Sequence, residues 1–292
     1  MIRVKIRLGL VVAFGLSAAQ GPAQDLSKLP YVPTPQVVVD QMLKLANVTA
    51  NDFVVDLGSG DGRMIISAAK TFKASGLGVD IDPKLVELSN KEAKAQGVEQ
   101  RVKFIEQDMF KADLSKATVV TLYVLPDFME KLRPKLIAEL RPGARIVAHD
   151  YYMTEWHPDR HIELTVPEKK AANGTDKAYL YLWVVPSRIG GDWCMNFAFG
   201  AGKPQWIVLS FNQQYQMVAA AAETVIGPLP IESPAIKGDE IDFFLTHGAA
   251  KFRFSGKVYG DKLEGAAVSA SSPKPVPWRA HKVPADRKCV LR

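Results

Sequence analysis

Residues 53 to 62 read Phe-Val-Val-Asp-Leu-Gly-Ser-Gly-Asp-Gly, so an apolar run carrying Asp56 breaks into glycines at 58, 60 and 62. Such a run is a buried strand that turns where backbone approaches a ligand closely, because glycine alone accepts positive φ without a side chain in the way. Two further carboxylates follow apolar runs. Asp80 closes Leu77-Gly78-Val79-Asp80, and Asp108 lies just past Val102-Lys103-Phe104-Ile105-Glu106-Gln107. A strand-end acid about 20 residues past the glycines suits bidentate hydrogen bonding to ribose hydroxyls. Asp108 suits an exocyclic adenine amine, with Met109 or Phe110 against the ring. The chemistry indicated is capture of an adenosyl cofactor by Asp56, Gly58, Ser59, Gly60, Gly62, Asp80, Ile81, Asp108 and Met109. The competing reading makes the acids helix caps or turn residues.

The dinucleotide fingerprint expects glycine at 58, 60 and 63, and position 63 is Arg. A nicotinamide-dependent oxidoreductase is therefore disfavoured. The tight alternate-glycine form preceded by Asp56 is the one used by S-adenosylmethionine sites.

These residues need strands and helices to position them. Leu29-Pro30-Tyr31-Val32-Pro33-Thr34-Pro35 is a proline-stiffened entry, and Thr34 is placed to cap a helix that starts at Pro35 and runs to about Ala46. Helices are predicted from the glycine turn to Phe72, from Asp82-Pro83 to Ala95, and between Asp127 and Leu140. Strands are predicted at Val119 to Val124 and Arg145 to His149, then at His161 to Val166 and Tyr179 to Val185 as a hairpin around Asn173-Gly174. Alternating strands and helices imply an α/β, Rossmann-like sheet of seven strands, mostly parallel with one antiparallel member.

The pattern changes after Pro186-Ser187-Arg188-Ile189-Gly190-Gly191. Only strand signals follow: Cys194–Phe199, Trp206–Phe211, Gln216–Ala221, Glu240–Thr246, Lys251–Phe254, Lys257–Tyr259 and Lys262–Val268, with Gly260-Asp261 as a hairpin turn. The spacing of Trp193, Phe197, Trp206 and Phe211 suits a β core. A smaller all-β sandwich or barrel is expected, with a proline-rich tail from Ser271 along its surface. The division expected is 1–23 as a signal peptide, 24–187 as the α/β domain and 188–292 as the β domain.

The 292 residues carry a formal charge of +6, of which Arg3, Lys5 and Arg7 supply three. The remaining +3 is too mild to argue for a nucleic-acid partner. Those three cations precede an apolar stretch from Leu8 to Ala19, and Gly21-Pro22-Ala23 offers small residues before Gln24. This is the order of a secretory signal, with Ser17 and Ala19 as a second cleavage option. Export to the periplasm, with no membrane span after cleavage, is the expectation; an uncleaved N-terminal anchor is the alternative. No cysteine lies near the cleavage point, which excludes a lipoprotein. Cys194 and Cys289 are the only two cysteines. They either bridge the β region or stand as two buried thiols. Five scattered histidines give no metal-ligand spacing.

The N-terminal half resembles the class I S-adenosylmethionine-dependent methyltransferases. Within them it is similar to the small lysine methyltransferases of mitochondria that modify the ATP synthase c-subunit and the adenine nucleotide translocase, and to their prokaryotic relatives. The matching segments are Tyr31-Val32-Pro33-Thr34, Asp56 to Arg63, Gly78 to Pro83, and Thr121-Leu122-Tyr123-Val124-Leu125-Pro126. Mitochondrial members are intracellular and lack an all-β appendage, so the resemblance speaks for cofactor and reaction class more than for substrate. It implies methyl transfer from S-adenosylmethionine to a protein lysine, or to a small molecule. The acceptor is expected above strand four, in a slot formed by Tyr123 and Tyr31 and bordered by Leu125 and Pro126, with carbonyls near Leu125 orienting the amine. Tyr123, Leu125 and Tyr31 have packing roles as their alternative. His149, Asp150, Tyr151 and Tyr152 could line the mouth, His149 equally serving as a packed strand-end residue. A binding or scaffold protein on an idle methyltransferase fold is the competing function.

Overall fold

The structure is a computed structural model, described here for residues 31–270, 272–284 and 289. The expected signal segment 1–23, with Leu29 and Pro30, lies outside the described residues. A seven-stranded sheet comes first, in the order β3-β2-β1-β4-β5-β7-β6. Its strands are β1 (Phe53–Leu57), β2 (Ser75–Asp80), β3 (Val102–Glu106), β4 (Val119–Leu122), β5 (Arg145–His149), β6 (Arg160–Thr165) and β7 (Lys177–Val184). β1 runs parallel to β2 and β4, while β7 alone runs against its neighbours β5 and β6. This is the α/β sheet expected from the sequence.

Four helices connect or cover it: α1 (Gln36–Leu45), α2 (Arg63–Phe72), α3 (Pro83–Ala95) and α4 (Pro126–Glu139). A fifth, α5 (Lys169–Asn173), joins β6 to β7, so the hairpin expected around Asn173-Gly174 closes through a short helix rather than a tight turn. The α1 face carrying Val38, Met42 and Leu45 packs with Ile65 and Val147 in one buried cluster. Pro83 opens α3 and the Asp82 carboxylate accepts from Lys84 N, as its sequence indicates. Thr34 departs from expectation. Pro35 occupies the cap position of α1 without a side-chain bond, and Thr34 Oγ1 instead lies 3.4 Å from His149 Nδ1.

The chain then forms one nine-stranded sheet, ordered β11-β10-β9-β8-β16-β15-β14-β13-β12. Its members are β8 (Gly191–Phe197), β9 (Gln205–Gln214), β10 (Met217–Thr224), β11 (Gly227–Leu229), β12 (Ile231–Lys237), β13 (Glu240–His247), β14 (Ala250–Tyr259), β15 (Lys262–Ser269) and β16 (Ser272–Lys282). Every adjacent pair is antiparallel. The sheet curls until β10 packs near β12, and Trp193, Phe197, Phe211, Phe243, Phe254 and Trp278 fill its inner face. Phe243 stacks on Phe254 at 5.0 Å, and Trp278 meets both edge-on.

The proline-rich tail is a correction. It is not surface coil but β16, inserted between β8 and β15, with Trp278 and Ala280 buried. Pro273, Pro275 and Pro277 stand at alternate positions. Alternate residues direct their missing N–H groups to the same edge. β8 pairs with β16 only from Ala280 to Lys282, so the prolines cost that ladder nothing. A disulfide joins Cys194 of β8 to Cys289 beyond β16, with Cα atoms 5.7 Å apart.

Candidate functional site

The glycine turn is built as the sequence requires. Gly58, Gly60 and Gly62 have φ of 84°, 55° and 80°. A Cβ on Gly60 would lie 2.6 Å from the Tyr31 ring, and one on Gly62 would lie 2.7 Å from Phe104. Larger residues are thus excluded by both backbone and space. The N–H groups of Gly58 and Ser59 donate to the carbonyl of Val79, tying the turn to β2.

The three acids stand along the C-terminal edge of adjacent strands, where open α/β sheets bind ligands. Asp56 is buried, and the β1–β4 register sets it beside Thr121, whose hydroxyl donates to Asp56 Oδ1 at 2.5 Å. Burial pushes its carboxyl up to about 7; the Thr121 bond opposes the shift, and the charges of Asp80 and Asp61 add to it. Asp80 Oδ2 accepts from Gly60 N at 2.8 Å, and its Oδ1 accepts from Asp82 N at 3.0 Å. It therefore fastens the turn itself. Asp108 Oδ1 accepts from Phe110 N and opens a short 3-10 turn at buried Met109. Asp80 and Asp108 thus each make a local turn bond as well as standing at the edge, whereas the partner of Asp56 is on the neighbouring strand. Ile81, beside Asp80, is an exposed apolar side chain.

Tyr31 sits on the turn, its ring against Gly60. Its hydroxyl bonds the Asp61 carboxylate, and burial together with that charge pushes it up to about 12. Arg63 clamps Asp61 through Nε, at 2.9 and 3.0 Å, and reaches the Thr34 carbonyl at 2.8 Å through Nη1. The Tyr31–Thr34 segment is thereby strapped across the turn.

The acceptor-side residues cluster beyond β4. The strand stops at Leu122, and Tyr123 leaves it to stack on His149 at 4.1 Å and on Tyr151 at 6.3 Å. Val124 lies against the glycine turn, 3.6 Å from where a Cβ on Gly58 would sit. Leu125 and Pro126 are exposed. The Leu125 carbonyl accepts from Phe128 N and Met129 N and so starts α4. His149 is buried and its Nε2 has no hydrogen-bond partner, lying 3.4 Å from Asp150 Oδ1. Desolvation, with the Lys169 charge nearby, holds the imidazole down at about 4, against the pull of Asp150. Buried Lys169 pairs with Asp150 Oδ2 at 2.5 Å and donates to the Lys177 carbonyl. Asp150 itself has a φ of 62°, a costly conformation for a side-chain-bearing residue.

Sequence reasoning did not find Thr121 as partner of Asp56, nor the Thr34–His149 contact. Both join residues more than 60 positions apart, and no local pattern marks them.

The residues fit an adenosyl cofactor. Ser59 Oγ is buried with no hydrogen-bond partner among the described residues, the turn takes positive φ at three glycines, and a buried carboxylate lies beside it. A ligand could satisfy those groups.

Residues 56–160 match the model of the ANTKMT methyltransferase domain family. A protein-lysine N-methyltransferase of Saccharolobus islandicus is 39% identical over 158 residues, which span 54% of this chain and 94% of that protein. The lysine N-methyltransferase of the ATP synthase c-subunit from Xenopus laevis is 36% identical over 154 residues, 52% of this chain and 67% of that protein. Among solved structures, an RNA methyltransferase from Salinibacter ruber, in complex with S-adenosyl-L-homocysteine, is 47% identical across 54% of this chain and 96% of that one, with a TM-score of 0.49. All three matches cover only about half of this chain.

Proposed function

The chain belongs to the ANTKMT methyltransferase family and is an S-adenosylmethionine-dependent N-methyltransferase, and we propose that it methylates a lysine amine of a protein outside the cytoplasm. The observation that carries the reading is the fastening of the glycine turn by Asp80 beside a buried Asp56. Bound at this edge, S-adenosylmethionine supplies a methyl group activated by a sulfonium.

The protein's residues bind, orient and exclude water. Asp56, once ionised, would pair with the cofactor's ammonium. Asp80 would hold the ribose and Asp108 the adenine amine, with Ile81 and Met109 as apolar surface for the ring. Tyr31, strapped by Asp61 and Arg63, covers the turn at Gly60. On the acceptor side, the Tyr123–Tyr151 wall sheds water from an incoming ammonium, lowers its pKa and favours the neutral amine that can attack. His149 is neutral and too weak a base to hold the displaced proton, which passes to solvent.

Export is the second part of the proposal. Its supports are the basic and apolar order of residues 3 to 23 and the disulfide between Cys194 and Cys289, a bond that persists in oxidising compartments. No helix among the described residues is long and apolar enough to cross a membrane.

The test supplies S-adenosylmethionine labelled in its methyl group and detergent-solubilised membrane protein as acceptor. The expected result is label recovered as methyl-lysine after acid hydrolysis, lost in the Asp80→Asn variant. Label on nucleic acid or small molecules alone overturns the lysine assignment. Recovery of the secreted chain with Met1 intact overturns cleavage.

A further inference from the structure

The segment from Tyr151 to Asp159 leaves the C-terminal end of β5 without helix or strand, yet it is gripped from two sides. From α4, Glu130 Oε1 accepts from the backbone N–H and the hydroxyl of Thr154 at 2.6 and 2.7 Å, and Arg133 pairs with Glu155 at 2.8 Å. From the β region comes the two-residue turn Tyr215-Gln216 between β9 and β10. Gln216 Oε1 accepts from Trp156 Nε1 at 2.8 Å, and Gln216 Nε2 donates to the His157 carbonyl at 2.6 Å. Tyr215 stacks on Trp156 at 5.4 Å with planes 11° apart. Trp156 is fully buried, and its carbonyl accepts from Trp183 Nε1.

Tyr215 has a φ of 54°. A bulky residue in the left-handed region is strained, and it persists only where its surroundings hold it. Glycine or asparagine would suit the turn better. The ring's stack on Trp156 is what the strained position provides. Attachment of the β region does not depend on this contact. At the opposite end of β5, Gly238 abuts Gly143, and Arg188 donates to the Ile137 carbonyl at 3.1 Å.

The gripped segment begins with the residues that face the proposed acceptor. Tyr151 stacks on Tyr123, and the exposed Tyr152 lies against Tyr181 at 5.4 Å. We infer that the β9–β10 turn is a positioning element of the methyl-acceptor site: Tyr215 and Gln216 hold the 151–159 segment so that Tyr151 and Tyr152 stand beside Tyr123. The inference rests on the acceptor lying at Tyr123, as proposed above. It gives the appended sheet a part in acceptor recognition, with Tyr215 and Gln216 as positioning residues that touch neither cofactor nor methyl group.

The test uses full-length Gln216→Ala, Gln216→Glu and Tyr215→Gly, the last removing the ring while relieving the backbone. Amide hydrogen exchange of residues 151–159 and 53–62 is followed, together with calorimetric affinity for S-adenosyl-L-homocysteine. Transfer kinetics use solubilised membrane protein as acceptor. Gln216→Ala and Tyr215→Gly are expected to speed exchange at 151–159 and raise the acceptor KM about fivefold, with cofactor KM and exchange at 53–62 unchanged. Gln216→Glu keeps the acceptor for Trp156 Nε1 and should recover part of the loss. Unchanged exchange at 151–159 overturns the inference, as does a looser segment with unchanged acceptor KM, or equal loosening at 53–62. If the wild-type chain transfers no label to protein, the functional reading falls and takes this one with it; normal wild-type transfer with any of the preceding three results overturns this one alone.

Discussion

The two sheets use buried side chains in opposite ways. In the seven-stranded sheet, polar groups are taken out of water at one edge: Asp56 on Thr121, Ser59 with an unsatisfied hydroxyl, His149 with a free Nε2. In the nine-stranded sheet the interior is filled by aromatic rings in mutual contact, and the indoles of Trp193 and Trp278 donate to the carbonyls of Ile189 and Ser255. The first arrangement stores unsatisfied polarity that a ligand can relieve. The second fills its interior with its own rings. The proposed chemistry draws on the first sheet, and the turn at Tyr215 is where the inferred influence of the second reaches it.

The harshest challenge to that contrast is removal of a ring from the second sheet. Phe243→Ala is expected to cost about 3–5 kcal/mol in denaturant unfolding. Affinity for S-adenosyl-L-homocysteine, measured under conditions where the variant is folded, should change less than about twofold. A large loss of affinity would mean that the second sheet supports the glycine turn directly.

Asp80→Asn applies the opposite perturbation. It keeps shape but removes the charge that accepts from Gly60 N and Asp82 N. Hydrogen bonds to charged groups contribute about 1.5–3 kcal/mol, so cofactor affinity should fall on the order of tenfold to a hundredfold by calorimetry. Cooperative unfolding of the nine-stranded sheet should survive.

pH separates two buried groups of the first sheet. Asp56 titrates at about 7 in the fold against 3.8 ordinarily. Its contribution to stability is complete below the lower value and is lost as pH rises through about 7. His149 titrates at about 4 against 6.5, so its contribution is present above 6.5 and is lost as pH falls toward 4. Between these limits the two slopes oppose each other, one proton apiece, and should nearly cancel in thermal melts of the cofactor-free chain. Asp56→Asn should expose the His149 slope, with stability rising with pH across that window. Affinity for S-adenosyl-L-homocysteine, whose ammonium favours ionised Asp56, should fall up to about tenfold per pH unit below 7. A flat profile would mean that Asp56 does not meet the ammonium. The smallest effect is expected of Tyr31→Phe, which removes the bond to Asp61 and leaves the ring over Gly60. Cofactor affinity should weaken about threefold.

Much of the first sheet was legible because local signals agree with the fold. Phe53–Leu57 and Arg145–His149 are mostly apolar runs buried in all but their first residue, and Asp82-Pro83 caps α3 as its residue types require. The glycine turn was legible because positive φ leaves few other choices. Thr34 was misread because a tertiary partner, His149, outcompeted a helix end. In the second sheet, Ser255-Gly256 reads as a break between two strands, yet β14 runs straight through it. Gly256 is there for clearance: a Cβ would lie 2.5 Å from the Glu264 carbonyl and 2.8 Å from Trp278. β12 escaped notice because most of its side chains are exposed or half-exposed, with Ile236 alone buried. β16 escaped because proline argues against a central strand, and only the pairing partners reveal that three alternate prolines share one unpaired edge.

The placement of β16 also sets a schedule for assembly. Among the described residues, strands β8 to β11 and β12 to β15 form two ribbons whose strand ladders are joined through β16. A chain emerging N-terminus first holds two unfinished four-stranded pieces until Trp278 arrives to seal them. Completion of the sheet then waits on residues 272–282, and a chain cut short before them would hold two unjoined ribbons beside the cofactor turn.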